Sequence, residues 1–376
     1  MFMNILYLVT TGNIIGGGEI SFLNLLENLD RTKFKPYVVA PSEGNFTEKI
    51  KNLNIPINII NLKKVKNPLN IYHSIKTIKI LIEFVRQNNI HLIHCNYTAG
   101  ITLLGGISSK FTKIPFFWHV RNIESGGILD LMLGLLASRI IIISKAVRNR
   151  FLWLFPKDKI ILIYNGVDLD RFNTKIDRMA FRNEIGYRGD NFLIGTVGRF
   201  VSWKGYEYFI KSAKIVSQKI SNTKFLIVGI DYFNDNKYLN YLRRLTKDLN
   251  IEKKVVFLGN REDTPQIMSS LDLFVLPSIG EPFGRVLIEA MACARAIVAF
   301  RGGGVAEIVE DGITGFLLTP RDFKGMAEKI EYLLENGVVA ETFGKNGRKR
   351  AEGLFDIKIH VKKVEDLYSG LIRNGI

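Results

Sequence analysis

The segment EPFGRVLIE, residues 281–289, carries two glutamates in different chemical settings. Glu281 lies in a Pro/Gly stretch that cannot be regular helix, whereas Glu289 lies inside the apolar run VLIEAMACA, which reads as one. The helix is expected to begin near Phe283–Gly284, just after Pro282. The backbone N–H groups of Phe283, Gly284 and Arg285 then point at its mouth, where the dipole favours phosphate oxygens. Glu281 falls in front of that mouth, where the distal part of a ligand would sit. Glu289 falls about 7.5 Å along the axis, one turn beyond Arg285. A carboxylate inside so apolar a helix is costly to bury alone and calls for a ligand or a cation. A second stretch, GRFVSWKG (198–205), sets Arg199 and Lys204 after an apolar strand with glycines on both sides. Two fixed cations there suit a diphosphate, Arg as a fork and Lys as a point charge.

Each of these residues also has a plainer reading, as solvated surface charge or a narrow polar stripe on a helix. The plainer readings weigh more heavily on the remaining candidates. TTGNIIGGGEISF (10–22) is a glycine loop between a strand and its helix, but it is not GxGxxG. No acidic residue ends the second strand at Ala40, so a dinucleotide-binding dehydrogenase is disfavoured. What remains is that Gly16, Gly17 and Gly18 let backbone N–H groups approach an anion at a helix N-terminus; a tight turn would use the same glycines. His119 closes the strand FFWHV, and His94 occupies a similar place in HLIHCN. Either serves as readily as a satisfied core histidine. Asp168 and Asp170 in GVDLDRF have no metal-site partners near them in sequence and read as turn chemistry.

The elements that must hold these residues alternate along the whole chain. Strands are expected at 4–10, 36–40, 57–62, 91–95, 115–120, 139–144 and 160–165, then at 192–198, 224–229, 255–259, 273–277 and 296–300. Amphipathic stretches separate them, and the chain is expected to be helical after residue 321, with a last helix over 356–374. Apolar strands alternating with helices imply parallel sheets covered on both faces, and ligands beyond the C-terminal strand ends. The polar stretch 168–191 interrupts the rhythm and reads as a linker.

At 376 residues the chain is too long for one compact core, and its 47% hydrophobic and 23% charged content is that of a globular protein. Two cysteines, Cys95 and Cys293, far apart in the chain, suggest a reducing compartment. The first residues, MFMNILYLVT, lack a basic n-region and read as a strand, and the apolar stretch 128–144 is broken by Asp130 and Arg139. A cytoplasmic protein is therefore expected.

Net charge is +16. Residues 1–190 hold 25 basic and 14 acidic side chains (25 − 14 = +11), leaving 27 and 22 (+5) for the rest. Between Lys49 and Arg86 eight Lys/Arg face a single acid, Glu83. An anionic membrane surface would account for this, as would a lysine-rich composition without function. No RNA-binding signature, zinc-finger spacing or basic heptad points to nucleic acid.

Taken together, GGGE, WHVRN, ISKAVRNRF, YNGVDLDRF, GRFVSWKG, FLG, EPFGRVLIEAMA and GGGVAEIVEDGITGFLL resemble the retaining glycosyltransferases of the GT-B fold, group 1 or family 4. The resemblance spans nearly the whole chain. It implies two Rossmann-like parallel-sheet domains facing a cleft, with a C-terminal helix crossing back to the first. On this chain that means an acceptor-side domain at 1–170, a linker at 171–190, a donor domain at 191–355 and the crossing helix at 356–376. It further implies a nucleotide-diphosphate sugar as donor, with Arg199 and Lys204 on the diphosphate and Glu289 on the ribose. Glu281, with the backbone of Pro282, Phe283, Gly284 and Arg285, would meet the donor sugar and phosphate. His119 would lie near that sugar, Gly16 and Gly17 would close on the diphosphate, and Arg261 would approach the base. Arg121, two residues after His119, departs from the acidic or small residue common there. No metal cofactor is implied. A UDP-sugar is favoured over GDP-mannose, with a glycan or lipid-linked acceptor in surface polysaccharide or glycolipid assembly, and peripheral association with the inner membrane face. A nucleotide-sugar epimerase, a phosphorylase and a non-catalytic sugar-nucleotide binder are the alternatives.

Overall fold

The structure is a computed structural model that describes residues 2–60, 71–97, 100–151, 154–187, 191–231 and 235–373. Two compact units divide the chain: residues 1–166 with 357–376, and residues 167–356.

In the first unit the strands are β1 (Met3–Leu8), β2 (Phe34–Ala40), β3 (Ile57–Ile59), β4 (Leu92–Cys95), β5 (Phe116–Val120), β6 (Arg139–Ile142) and β7 (Ile160–Leu162). Helices α1 (Gly17–Asn28), α2 (Asn45–Asn52), α3 (Ile71–Gln87), α4 (Gly100–Thr112), α5 (Ile128–Leu136) and α6 (Lys145–Arg148) connect them. The strands pair in parallel in the order β3-β2-β1-β4-β5-β6-β7. Strands such as FFWHV are buried at every position, which is why they read as continuous apolar runs. The last two residues of the stretch expected as a strand at 57–62 lie outside the described residues, as do Lys63, Lys64 and Lys66 of the basic segment.

The second unit begins at Val167, so the whole stretch expected to be a linker belongs to it. Helix α7 (Arg178–Glu184) is capped by Asp177, whose carboxylate accepts from Met179 N at 2.8 Å. Buried Arg182 donates to Ser270 O and to Asp272, at 2.8 and 2.6 Å, and Phe172, Phe181 and Tyr187 are buried. Polar composition concealed these anchors, because one buried arginine and three aromatics suffice to fold the segment onto its own unit.

Strands β8 (Phe192–Val197), β9 (Thr223–Val228), β10 (Val255–Gly259), β11 (Leu273–Leu276), β12 (Ala296–Phe300) and β13 (Gly315–Leu318) form the second parallel sheet, in the order β10-β9-β8-β11-β12-β13. Strand β13 was not anticipated; it is four residues long and pairs only with β12 at the sheet edge. The intervening helices are α8 (Tyr206–Lys219), α9 (Lys237–Asp248), α10 (Thr264–Ser270), α11 (Arg285–Ala292) and α12 (Val305–Ile308), followed by α13 (Phe323–Glu335) and α14 (Gly337–Arg350). A π-turn over Ala351–Phe355 then leads to α15 (Ile357–Arg373).

Helix α15 returns to the first unit. Its Ile357, Val361, Val364 and Tyr368 are buried in the same core as Met3, Tyr7, Phe22 and Phe34. At about 1.5–3 kcal/mol per buried apolar side chain, these four contribute on the order of 6–12 kcal/mol before ordering entropy. Gly166 stands where the chain leaves the first unit: a Cβ there would lie 2.6 Å from Ile357 Cα, so the two ends of the unit close on a glycine.

Both sheets reverse their strand order beside the first strand, between β1 and β4 and between β8 and β11. The loops leaving those strands diverge to opposite faces, and the crevice left between them is where open α/β sheets bind ligands.

Candidate donor site

In the second unit the four residues singled out from sequence converge on that reversal point. The loop after β8 carries Arg199 and Lys204, and the loop after β11 carries Glu281 and leads into α11. Gly205 makes the first loop possible. Its φ of 67° lies in the left-handed region, and a Cβ there would lie 2.2 Å from Pro277 O. Ile279 N donates to Trp203 O at 2.9 Å, which ties the two loops together. Gly304 N donates to Glu281 O at 2.8 Å and joins the loop after β12 to them.

Lys204 Nζ lies 2.6 Å from Glu281 Oε2, and both side chains are about nine-tenths buried. The ammonium also rests 4.5 Å from the Trp203 ring centroid. Two residues assigned to different parts of the ligand are thus paired with each other. The phenol of Tyr206 is buried beside them without a hydrogen-bond partner. Burial pushes its pKa up, Glu281 adds to that, and Arg199 opposes it. Arg199 itself is half-buried, and its guanidinium forms no ion pair among the described residues.

Helix α11 starts at Arg285, one residue later than expected, because Gly284 adopts φ 95°, ψ 57° and serves as the N-cap. No other residue fits well there: a Cβ would meet Leu287 Cδ1 at 2.9 Å and Glu281 Cγ at 3.3 Å in a backbone region side chains avoid. The first helical N–H groups, at Arg285 and Val286, have no carbonyl four residues back within the helix and remain available to an anion. Glu289 is 2% exposed. Its Oε1 lies 2.9 Å from Arg285 Nη2, but the angle is not that of a hydrogen bond, so the contact is an ion pair only. Burial pushes the Glu289 carboxyl up from its usual range, and Arg285 and Arg171 oppose that shift. A buried, raised carboxyl with an unbonded oxygen is poised to accept from a hydroxyl.

Arg261 is engaged elsewhere. Its guanidinium donates to Asp263 at 2.6 and 2.8 Å and to Glu184 at 2.8 Å. Its positive charge is therefore already balanced by two carboxylates. Asp168 caps its own turn, accepting from Asp170 N and Arg171 N at 2.9 and 3.0 Å. Among the described residues no three His, Cys, Asp or Glu side chains gather as metal ligands.

In the first unit, Gly16 is extended and precedes α1, and its N–H donates to Glu19 Oε2 at 2.9 Å. Glu19 is also held by the Tyr97 hydroxyl at 2.5 Å, so the protein's own carboxylate occupies part of that helix mouth. Gly18 packs against Tyr97, whose hydroxyl a Cβ would meet at 2.8 Å.

His119 is fully buried at the end of β5, and neither ring nitrogen has a hydrogen-bond partner. It lies between two other histidines: His94 stacks on it at 5.6 Å and 22°, and His360 lies 6.4 Å away. His94 Nδ1 bonds the Tyr368 hydroxyl at 2.6 Å, which in turn lies 3.0 Å from the Tyr7 hydroxyl. Burial, then the Arg121 charge, lowers the pKa of His94 to about 3 and holds His119 well below its usual value. Burial likewise lowers His360, to about 4. Arg121, the departure noted from sequence, is pinned by Asn165 and Asn96 at 2.7 and 3.0 Å. Sequence reading missed His360 and Tyr368. The signal was present, since His360, Val364 and Tyr368 recur every four residues on one face of α15.

Residues 177–350 match the model of glycosyl transferases group 1, and residues 15–171 match glycosyltransferase family 4. The capsular polysaccharide biosynthesis glycosyltransferase CapM of Staphylococcus aureus is 27% identical over 99% of this chain and 98% of its own. An Escherichia coli enzyme named UDP-Gal:alpha-D-GlcNAc-diphosphoundecaprenol alpha-1,3-galactosyltransferase is 24% identical over 96% of this chain and 95% of its own. Among solved structures, HepE of Anabaena in complex with UDP and glucose superposes with a TM-score of 0.85 at 27% identity, covering 98% of this chain and 99% of that one. Its complex with UDP-glucose gives 0.84 at 27% identity, over 98% and 100%. With both halves matched and the parallel sheets in place, the chain belongs to the group 1 glycosyltransferases of the GT-B fold.

Proposed function

We propose that this glycosyltransferase moves a sugar from a UDP-sugar to a glycan or lipid-linked acceptor, with retention of configuration and without a metal at the chemical step. The observation that carries the reading is the grouping of Arg199, Lys204 and Glu281 before the mouth of α11, at the strand reversal of the second sheet. The C1–O bond to the diphosphate breaks, and negative charge grows on the leaving phosphate. Arg199, Lys204 and the first N–H groups of α11 stabilise that charge. The acceptor oxygen bonds C1 on the same face, and its proton passes to the leaving phosphate oxygen. This route needs no carboxylate nucleophile of the glycosidase type. Glu289 takes the ribose hydroxyls, and Glu281 faces the sugar.

The preference for uridine is supported by the similarity to HepE, solved with UDP and UDP-glucose, and to a relative named for a UDP-galactose donor. The acceptor class is supported by relatives named for capsular polysaccharide and for a diphosphoundecaprenol-linked sugar. Such an enzyme would work in the cytoplasm, against the inner membrane face; no helix among the described residues is long and apolar enough to cross a membrane. Calorimetric titration with UDP and GDP, followed by hydrolysis of a UDP-sugar panel, tests the reading. Tighter binding of UDP than of GDP is expected. Equal binding of both, or of neither, removes the assignment.

A further inference from the structure

Tyr206 opens α8 directly after Gly205, and its hydroxyl reaches Gly198, at the start of the loop that carries Arg199 and Lys204. A Cβ on Gly198 would lie 3.0 Å from that hydroxyl and 3.5 Å from Lys204 Cε, so the phenol and the lysine stem converge there. The Tyr206 ring is 1% exposed and packs on Phe200 and Tyr238, at 5.5 and 6.4 Å between centroids. The Tyr238 hydroxyl donates to Glu207. The Tyr206 hydroxyl is buried and has no hydrogen-bond partner. An unpaired buried hydroxyl costs stability, and a phenylalanine would pack here without that cost. The charged groups that bear on the phenol are Glu281 and Arg199. Burial keeps it protonated at neutral pH, so it can donate a hydrogen bond while carrying no charge.

Glu281 supplies an acceptor in the same cluster. Its Oε2 lies 2.6 Å from Lys204 Nζ, and both side chains are about nine-tenths buried. A phosphate that takes the ammonium leaves this carboxylate buried without its cation, which is costly. The backbone at Glu281 is fixed, because Gly304 N donates to Glu281 O at 2.8 Å. Its side chain has room to turn, since Gly284 places no Cβ against Glu281 Cγ. A charge-assisted O–H···O⁻ bond from a buried phenol would offset part of the lost ion pair.

We infer that Tyr206 is a positioning residue for the transfer: its hydroxyl donates to Glu281 when donor phosphate takes Lys204. One carboxylate oxygen is then held by the phenol, and the other is left to the sugar. The inference rests on the donor reading given above and adds to it a residue that touches neither phosphate nor sugar.

Calorimetric titration of UDP into the full-length wild type, Tyr206→Phe, Glu281→Gln and the double variant tests it. Without UDP, Tyr206→Phe is expected to melt no lower than the wild type, because it loses no hydrogen bond. It should bind UDP more weakly, on the order of tenfold. It should also take up about one proton more per UDP than the wild type, as Glu281 protonates for want of a donor. Titration in two buffers of different ionisation enthalpy reads that proton, and the variant's affinity should fall faster than the wild type's as pH rises. In the Glu281→Gln background, Tyr206→Phe should change UDP affinity by less than about twofold. Wild-type affinity and proton uptake in Tyr206→Phe overturn the inference, as does an equal loss in both backgrounds. So does a lowered melting temperature without UDP, which would mean that the hydroxyl is bonded within the fold. Each of these outcomes leaves the UDP reading standing, whereas a wild type that binds no UDP removes the reading and the inference with it.

Discussion

Lys204 Nζ lies 2.6 Å from Glu281 Oε2, so the lysine proposed for the diphosphate is paired with the glutamate proposed for the sugar. Donor phosphate must compete with Glu281 for the ammonium. Glu281→Gln removes that competition and is expected to tighten UDP binding several-fold while lowering kcat at least a hundredfold, or about 2.7 kcal/mol. UDP affinity that falls in this variant would mean that the pair does not exchange partners.

Lys204→Ala should cost on the order of 2–4 kcal/mol of transition-state stabilisation. It should also lower the melting temperature, because Glu281 is left buried without its cation, a loss of about 3 kcal/mol in comparable pairs. The double variant Lys204→Ala/Glu281→Gln should regain stability without regaining activity. A double variant as unstable as Lys204→Ala would show that the ion pair is not what the mutation removes.

On the proposed function, Glu289 trades stability for binding. Its folded carboxyl is raised above the unfolded value, so ionisation near neutral pH works against folding, more as pH rises. Glu289→Gln should therefore raise the melting temperature of the free protein by a few degrees, as about 1 kcal/mol would do. The same change should weaken UDP and UDP-sugar alike, since the ribose does not react. Calorimetry on the variant reads both effects, and lowered stability with intact UDP affinity would remove Glu289 from the donor site.

Acid should release α15. His94, His119 and His360 are neutral when folded, with depressed values of about 3 for His94 and about 4 for His360, against 6.5 when unfolded. The unfolded chain binds more protons throughout that window, so stability is lost as pH falls below 6.5. At pH 5 the loss is up to about 2 kcal/mol per histidine, set by the distance from the unfolded value. His360→Gln, on α15 itself, should flatten the fall in melting temperature between pH 7 and pH 5. An unchanged slope would place the acid sensitivity elsewhere.

Transfer should survive EDTA, because Arg199, Lys204 and the start of α11 are proposed to supply the positive potential at the diphosphate. Activity lost in EDTA and restored by Mg²⁺ or Mn²⁺ would reopen a metal role for Asp168 and Asp170.

What the sequence by itself determined is the local periodicity and its punctuation. Runs such as FFWHV and LFVLP are apolar at every position because parallel strands are covered on both faces, and that pattern needs no partner to be read. The glycines beside Arg199, Lys204 and Glu281 marked turns for the same reason: a left-handed φ at Gly205 and Gly284 is a property of the single residue. What only tertiary structure decided is which side chains meet. Lys204 and Glu281 are 77 residues apart and His94 and Tyr368 are 274 apart, so no window along the chain contains either pair. The return of α15 to the first unit was expected, but the histidine and tyrosine it delivers were not. Side-chain pairing depends on strand order and on where a helix face lands, and local propensity carries neither. The same holds for the pairing of Arg261 with Glu184, 77 residues away, although Asp263, its other partner, is only two residues on.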